Sequence, residues 1–324
     1  MKKPKVLCSA CLEHCKCRYD GSVIESSMIK LLQNFVTFET VCPEMGIGLP
    51  SPREAVRLIK TEEGLLLKDS YTGTDRTKDM KSFINTFFEN HQEEDYDAVI
   101  LKCKSPTCGL KEVKLYSDVG KRPSLTEKSH GLFGGSILEH FSKVPIEDEG
   151  RLKHFNIREQ FYMAMFLRFS FRQVKEEVMK TQKLGALVNY HTENKYLFMA
   201  YSQETLKNLG AIVANHKHAA YEEVLKEYED ELSKVYRAQL TPGKNVNMLL
   251  HVFGYFKNDL SADEKTFFLE QLGLYEQKKL PFSSVLMIIQ SWVVRYNQAY
   301  LKKQTIFNLF PKELVEMTDS GKGL

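Results

Sequence analysis

Apolar positions recur along this chain with two different periods, and the switch between them divides it. Residues 4–8 end in Val-Leu-Cys, an apolar run that stops at Ser9 and Ala10, which predicts a strand entering a turn. Between residues 23 and 35, Ile24, Met28, Ile29, Leu32 and Phe35 fall at helical spacing. Phe35 to Cys42 is a β-branched apolar run closed by Pro43, a second strand. Pro52 opens Arg-Glu-Ala-Val-Arg-Leu-Ile, where a proline suits the first turn of a helix. Residues 64–72 read as a short hairpin with Gly73 in its turn. Lys78 to His91 has the pattern of an amphipathic helix, and Asp97 to Cys103 that of a buried strand. This order predicts an α/β fold, a Rossmann-like open sheet flanked by helices.

The second half lacks β-like alternation. Arg151 to Gln182 reads as nearly unbroken helix, rich in Phe and Met and carrying Arg158, Arg168, Arg172 and Lys175. Residues 151–185 hold eight Lys/Arg against three Asp/Glu, which makes this stretch the most basic of the chain and its best electrostatic candidate for phosphate. From Tyr190 onward apolar residues recur at spacings of three and four, punctuated by Pro242-Gly243 and Pro281. The expected division is an α/β domain over 1–150, a basic helical bridge over 151–185 and an all-helical domain over 186–316.

Composition narrows the class. A length of 324 residues fits two domains, and 43% hydrophobic content with 45 basic against 42 acidic residues excludes a mainly disordered chain. No uninterrupted apolar stretch approaches the roughly 18 residues of a membrane span. The basic N-terminus lacks the apolar core of a signal peptide. The chain is expected to be soluble and cytoplasmic.

Seven cysteines change the picture further: Cys8, Cys11, Cys15, Cys17, Cys42, Cys103 and Cys108, with none beyond. An odd count in a reducing compartment argues against a disulfide framework. A metal or cluster site, catalytic thiols and buried structural thiols stay open for them. The local spacing C-x2-C-x3-C-x-C matches neither a zinc knuckle nor a ferredoxin site well. Cys11, Cys42 and Cys108, however, fall at or beyond the carboxyl ends of the three predicted strands, the edge where sites of open parallel sheets assemble. Cys42 stands two residues from Glu44, and Cys108 closes a Ser105-Pro-Thr-Cys loop.

Three motifs occur in order: S-A-C-L with R-Y-D-G, then C-P-E with G-x-G-L-P-x-P-R, then L-K-x-x-S-P-x-C-G. Together they resemble the TudS-like thiouracil desulfurases over roughly residues 1–150. The later segment around Asn247-Met-Leu-Leu-His251 and Tyr300-Leu-Lys-Lys-Gln304 resembles the YbgA-type helical domain often fused to them. Proteins with both parts resemble desulfidases that convert 4-thiouridine in tRNA to uridine.

The resemblance implies a [4Fe–4S] cluster held by Cys11, Cys42 and Cys108, with one iron left open to a thiocarbonyl sulfur. It implies water attack at the ring carbon without net electron transfer, hence no redox partner, and a thiolated tRNA or thiolated pyrimidine nucleotide as substrate. Glu44 is then the expected acid and base, against a plain role in pairing within its loop. Ser105 would orient substrate or water, against a turn-stabilising role before Pro106. Arg18 or Arg53 would contact a substrate phosphate, while Asp20 could equally pair with an arginine. The chain departs from the family where Glu13 to Cys17 replace an apolar and glycine stretch. There Cys15 and Cys17 offer alternative ligands or incidental thiols. Cys8 and Cys103, within predicted strands, are expected to be structural.

The helical half would give thiolated RNA a platform that a free base does not need. Asn247, His251 and Tyr255, four residues apart, would share a helix face that meets either RNA or a neighbouring helix. Glu222 to Glu231 reads as a solvated acidic face. Action on free thiouracil or its nucleotides, and a non-enzymatic RNA- or metal-binding regulator, are the competing readings.

Overall fold

A computed structural model describes residues 2–315 apart from 217 and 239. Residues 1 and 316, the expected outer ends of the two domains, lie outside the described residues. The chain forms two compact units, one built on Met1–Phe169 and one on Ser170–Lys312.

Among the described residues the first unit contains eight strands: β1 (Lys5–Ser9), β2 (Thr37–Val41), β3 (Val56–Thr61), β4 (Gly64–Asp69), β5 (Ala98–Leu101), β6 (Val113–Tyr116), β7 (Ser124–Ser129) and β8 (Ile146–Asp148). Its helices are α1 (Ser27–Leu32), α2 (Pro43–Gly46), α3 (Thr77–Asn90), α4 (Leu132–His140) and the start of α5 (Phe155–Thr181). The expected α/β class with flanking helices holds, and the strands divide between two sheets. The first sheet runs β2-β1-β5-β8 and is parallel throughout. Its central strands are apolar on both faces, as parallel strands covered by helices must be: Val6, Leu7 and Cys8 in β1 and all of β5 are buried. The second sheet, β4-β3-β6-β7, mixes parallel and antiparallel pairs. One core joins them, with Leu7, Val99 and Leu101 from the first sheet, Leu58, Leu67 and Leu115 from the second, and Met80, Ile84, Phe133 and Ile137 from α3 and α4.

The helix expected after Pro52 is not there. Val56–Thr61 is β3, and its antiparallel partner is β4, so the hairpin turns at Glu62 and Glu63, not at Gly73. Propensity there is overridden by pairing: Val56, Leu58 and Ile59 bury against the core while their backbones pair with β4 and β6. The helix expected from Val23 begins only at Ser27, because Ile24 is tied to Leu12 in an isolated bridge and Ser26 caps α1 by accepting from the Ile29 amide.

The basic stretch of 151–185 is also corrected. Arg158 and Arg168 are buried and donate to backbone carbonyls, Arg168 to those of Glu93, Tyr96 and Lys143 at 2.9–3.0 Å. Lys175 pairs with Glu229 at 2.6 Å. Three of its four singled-out cations therefore hold structure, since a buried charge is tolerated only with such partners.

The second unit is helical: the remainder of α5, then α6 (Gly185–Glu193), α7 (Lys195–Tyr201), α8 (Gln203–Ala214), α9 (Tyr221–Arg237), α10 (Pro242–Phe253), α11 (Ala262–Glu276), α12 (Phe282–Arg295) and α13 (Ala299–Lys302). Val224, Leu225, Tyr228, Leu232 and Val235 form the buried stripe of α9. On its acidic face Glu222, Glu223, Glu227 and Asp230 are exposed as expected, whereas Glu229 is buried on Lys175 and Glu231 is largely covered, paired with Lys234. Tyr255 lies beyond the end of α10 and stacks on Tyr300, with its hydroxyl 3.1 Å from that of Tyr196, while His251 is exposed. Among the described residues, no helix is long and apolar enough to cross a membrane.

Candidate functional site

Parallel strands all end at the same edge, so β2, β1, β5 and β8 deliver their following residues to one place. Cys11 comes two residues after β1, Cys42 directly after β2, Cys108 from the loop after β5, and Glu149 directly after β8. A cavity of about 300 Å³ opens there. All seven residues expected from the sequence line it: Cys11, Cys42 and Cys108, Glu44 and Ser105, Arg18 and Arg53. So does Cys17, one of the two alternative ligands expected above, and so do Ser9, Tyr19, Lys102, Cys103, Lys104 and Thr107, to which the sequence had given no role in the site.

Local structure fixes each loop. Cys42 occupies the N-cap position of α2 in extended conformation, with Pro43 at the first helical position, so its thiol leaves the strand before the helix starts. The Cys108 loop lies against the start of α4, whose Leu132 and Gly134 amides donate to the carbonyls of Pro106 and Thr107 at 3.2 and 2.9 Å. A Cβ on Gly134 would stand 2.5 Å from the carbonyl oxygens of Cys108 and Gly109, so this close approach requires glycine. In the loop after Cys17, Gly21 has φ +74° and its amide donates to the Arg18 carbonyl at 2.9 Å, closing the turn that presents Arg18 and Tyr19.

Glu44 is tightly held. Arg53 donates to its Oε2, with Nε at 2.9 Å, and Thr107 Oγ1 donates to its Oε1 at 3.0 Å. The Arg53 side chain is only 4% exposed, so this arginine is committed to Glu44. The Ser105 hydroxyl oxygen accepts from the Thr107 and Cys108 amides at 3.2 and 3.1 Å. Both its lone pairs are then engaged, and its proton is donated to Thr107 Oγ1 at 3.0 Å. The result is a directional chain, Ser105 to Thr107 to Glu44. Thr107 links the two residues expected to be catalytic, and a hydroxyl two residues after Ser105 was the signal that could have found it.

A second network lies beside it. Lys102 donates to Glu149 Oε1 at 2.6 Å and to Cys103 Sγ at 3.1 Å, and the Cys103 thiol and amide donate to the two oxygens of the same carboxylate at 3.1 and 2.6 Å. Burial alone would lower the Lys102 pKa, but Glu149 outweighs it and holds the amine above its usual value. Cys103, Asp148 and Glu149 form a trio of metal-ligand atoms within 4.8 Å of one another. The Lys102 ammonium occupies the cation's place there, and Asp148 accepts from the Arg151 amide at 2.8 Å. Cys103 thus lies beyond β5, on the cavity wall, and not inside a strand as expected.

The thiols differ in environment. Burial pushes the Cys11 thiol up to about 12, with the neighbouring Cys42 adding and Lys102 opposing. Burial also raises Cys108, against a hydrogen bond from Ser9 that lowers it. These are unreactive thiols as they stand, and a bound metal is what would draw off their protons. Cys17 faces the cavity at 1% exposure, beside Cys42, whose thiol donates to the Cys17 carbonyl at 3.9 Å. Cys15 is exposed and does not line the cavity. Thiolates on one tetrahedral zinc, with bonds of about 2.3 Å, stand roughly 3.8 Å apart. No three thiol sulfurs of the described residues gather within 4.8 Å. Three soft donors spread around a cavity of about 300 Å³ fit a polynuclear group better than a single ion.

Residues 6–149 match the family described as 2-thiouracil desulfurase, and residues 195–311 match a protein family of unknown function, DUF1722. The uncharacterized protein YbgA of Escherichia coli (strain K12) is 28% identical over 138 residues, 42% of this chain and 81% of YbgA. The uncharacterized protein YbbK of Bacillus subtilis (strain 168) is 32% identical over 113 residues, 32% of this chain and 72% of YbbK. Among solved structures, a [4Fe–4S]-dependent thiouracil desulfidase, TudS, is 24% identical with a TM-score of 0.38, over 46% of this chain and 93% of that one.

Proposed function

Because the chain belongs to the 2-thiouracil desulfurase family, with a YbgA-like helical domain joined to that part, we propose that it is a desulfidase replacing the sulfur of a thiolated pyrimidine by oxygen, with 4-thiouridine in tRNA as its substrate. One observation carries the reading: Cys11, Cys42, Cys108 and Glu44, from three separate loops, line one cavity. The three cysteines would hold a [4Fe–4S] cluster. Bound there, it would supply Lewis-acidic iron with an affinity for soft sulfur.

The chain's own residues do the proton work. Glu44 Oε1 accepts one hydrogen bond, from Thr107, and keeps a lone pair for a water proton as the water oxygen adds to the ring carbon. The same carboxyl group returns the proton to the departing sulfur. Water enters and hydrogen sulfide leaves, so the reaction is a hydrolysis with no net electron transfer and no redox partner. Arg53 and Thr107 hold the carboxylate in one orientation, and Ser105 orients Thr107. The proposed setting is the cytoplasm.

The test is anaerobic purification of the full chain, an iron and acid-labile sulfide assay, and incubation with thiolated tRNA, 4-thiouridine monophosphate and free thiouracil. Brown protein that bleaches the near-ultraviolet band of thiolated tRNA and releases sulfide is the expected result. Turnover confined to the free base would reject the tRNA assignment. Cluster-loaded protein inactive on all three would reject the desulfidase.

A further inference from the structure

We infer that Lys68, Arg57, Lys114 and Lys128, one from each strand of the second sheet, form a phosphate track on its outer face that docks the backbone of an RNA substrate outside the cavity. The identity of the RNA rests on the tRNA reading above, and the closing experiment separates the two.

The track follows from strand register. Successive side chains of a strand point to opposite faces of its sheet. Leu58, Leu67, Val113 and Leu115 face the core, so their neighbours Arg57, Lys68 and Lys114 face away from it. Arg57 pairs directly with Lys68 across β3 and β4, and Lys114 directly with Lys128 across β6 and β7. The parallel pair β3 and β6 sets Leu58 beside Leu115, which brings Arg57 level with Lys114. Four cations therefore stand in one row, about 14 Å long at the usual strand separation of about 4.8 Å. Like charges directly opposite one another destabilise a sheet, so this row opposes the fold until an anion lies on it.

The first unit does not supply that anion. None of the four cations has a carboxylate within 4.0 Å among the described residues. The acids of the same strands are engaged elsewhere, Glu127 on Lys60 and Asp69 on Arg76 at 2.8 Å. Asp75, bridged to Lys68 at the sheet edge, accepts from the Thr77 amide at 2.8 Å. Lys114 and Lys128 are exposed. Arg57 is held in place: its Nη1 donates to the Gly120 carbonyl at 2.7 Å, and its guanidinium stands 4.3 Å from the ring centre of Tyr116. Its Nε and Nη2 have no acceptor among the described residues.

The row suits RNA better than a lipid surface. Among the described residues these four strands expose no large apolar side chain to enter a bilayer, whereas a row of cations matches a polymer with one phosphate per unit. The track is also within reach of the site. Arg53 lines the cavity and Arg57 follows it by four residues, at most about 14 Å away. An RNA strand with one base in the cavity can lay neighbouring phosphates on the row.

Binding of thiolated tRNA to the full-length protein at several salt concentrations tests the track. Lys114→Ala and Lys128→Ala should each reduce the log–log salt slope by about 1. Lys114→Glu should weaken tRNA binding roughly tenfold, the size of one charge-assisted contact, and Lys114→Arg should retain it. A carboxylate opposite Lys128 turns a repulsive pair into an attractive one, so Lys114→Glu should also raise the midpoint of denaturant unfolding. Desulfuration of 4-thiouridine monophosphate, too short to span cavity and row, should be unchanged in every variant. Unchanged slopes in both alanine variants, with tRNA still desulfurated, would overturn the track and leave the desulfidase reading standing. Unchanged tRNA binding beside lost binding to phosphatidylserine vesicles would overturn it in favour of a membrane. If the slopes fall as expected but no thiolated substrate loses sulfur, the desulfidase reading falls and the track stands.

Discussion

The two units use buried hydrogen bonds to different ends. In the helical unit they close on themselves: Asn245 donates to the Tyr275 hydroxyl at 2.7 Å, Thr305 to Asn194 at 2.6 Å, and Gln304 to the Thr192 carbonyl at 2.8 Å. Each ties one helix or turn to another and ends there. In the α/β unit the chains Ser105–Thr107–Glu44–Arg53 and Cys103–Lys102–Glu149 both end at an open cavity wall. The same interaction secures packing in one unit and aims reactive groups in the other. What differs is parallel strands finishing at a common edge, which leaves a gap that loops of separate origin must line. In the helical unit, rings such as Phe253, Phe268 and Trp292 pack against one another.

This contrast can be broken experimentally. The largest effect should come from Cys11→Ser, Cys42→Ser or Cys108→Ser, each expected to abolish iron binding in an anaerobic iron and sulfide assay. Replacing Cys15 and Cys17 together should leave the iron in place, and its loss would contradict the assignment of Cys11, Cys42 and Cys108 as the ligand set. Glu44→Gln should retain iron yet lower kcat by about 10²–10⁴-fold. In the helical unit, Phe268→Ala should cost about 3–5 kcal/mol in denaturant unfolding, because it empties a fully buried site between two aromatic rings, and should leave the iron content of folded protein unchanged. Thr107→Val should lower kcat about tenfold by cutting the chain between Ser105 and Glu44, with Thr107→Ser restoring it; equal losses in both variants would argue for packing alone.

The smallest effect concerns pH. Burial, with a lesser contribution from Lys195, holds the His191 imidazole below its usual value. The folded state therefore resists the proton that the unfolded chain accepts. Stability from this site is full above the unfolded pKa of about 6.5 and falls as pH drops below it. His191→Gln should flatten the pH dependence of helical unfolding between pH 7 and 5, and an unchanged slope would place the acid sensitivity elsewhere.

Much of this was legible in the chain itself. The strand ends at Ser9 and Val41 show as apolar runs stopped by small residues or proline, and the third strand, expected to reach Cys103, ends two residues earlier at Leu101, so the edge carrying Cys11, Cys42 and Cys108 could still be anticipated. The segment 56–61 could not, because six residues with mixed apolar and charged positions satisfy a helix or a strand equally, and only β4 and β6 decide between them. Arg53 and Arg168 illustrate the same limit. An arginine's letter is the same on a surface that meets phosphate and in an interior that accepts it for three carbonyls or one carboxylate.

The sequence by itself determined the class of each half, the order of the site loops and which residues they carry, because periodicity and strand termination are local properties. Only the tertiary structure decided that Arg53 is committed to Glu44, that Cys17 lines the cavity while Cys15 does not, and that Thr107 joins Ser105 to Glu44. Those are relations between side chains far apart along the chain. Burial and the directionality of hydrogen bonds settle them only once the parallel strands have brought the loops together.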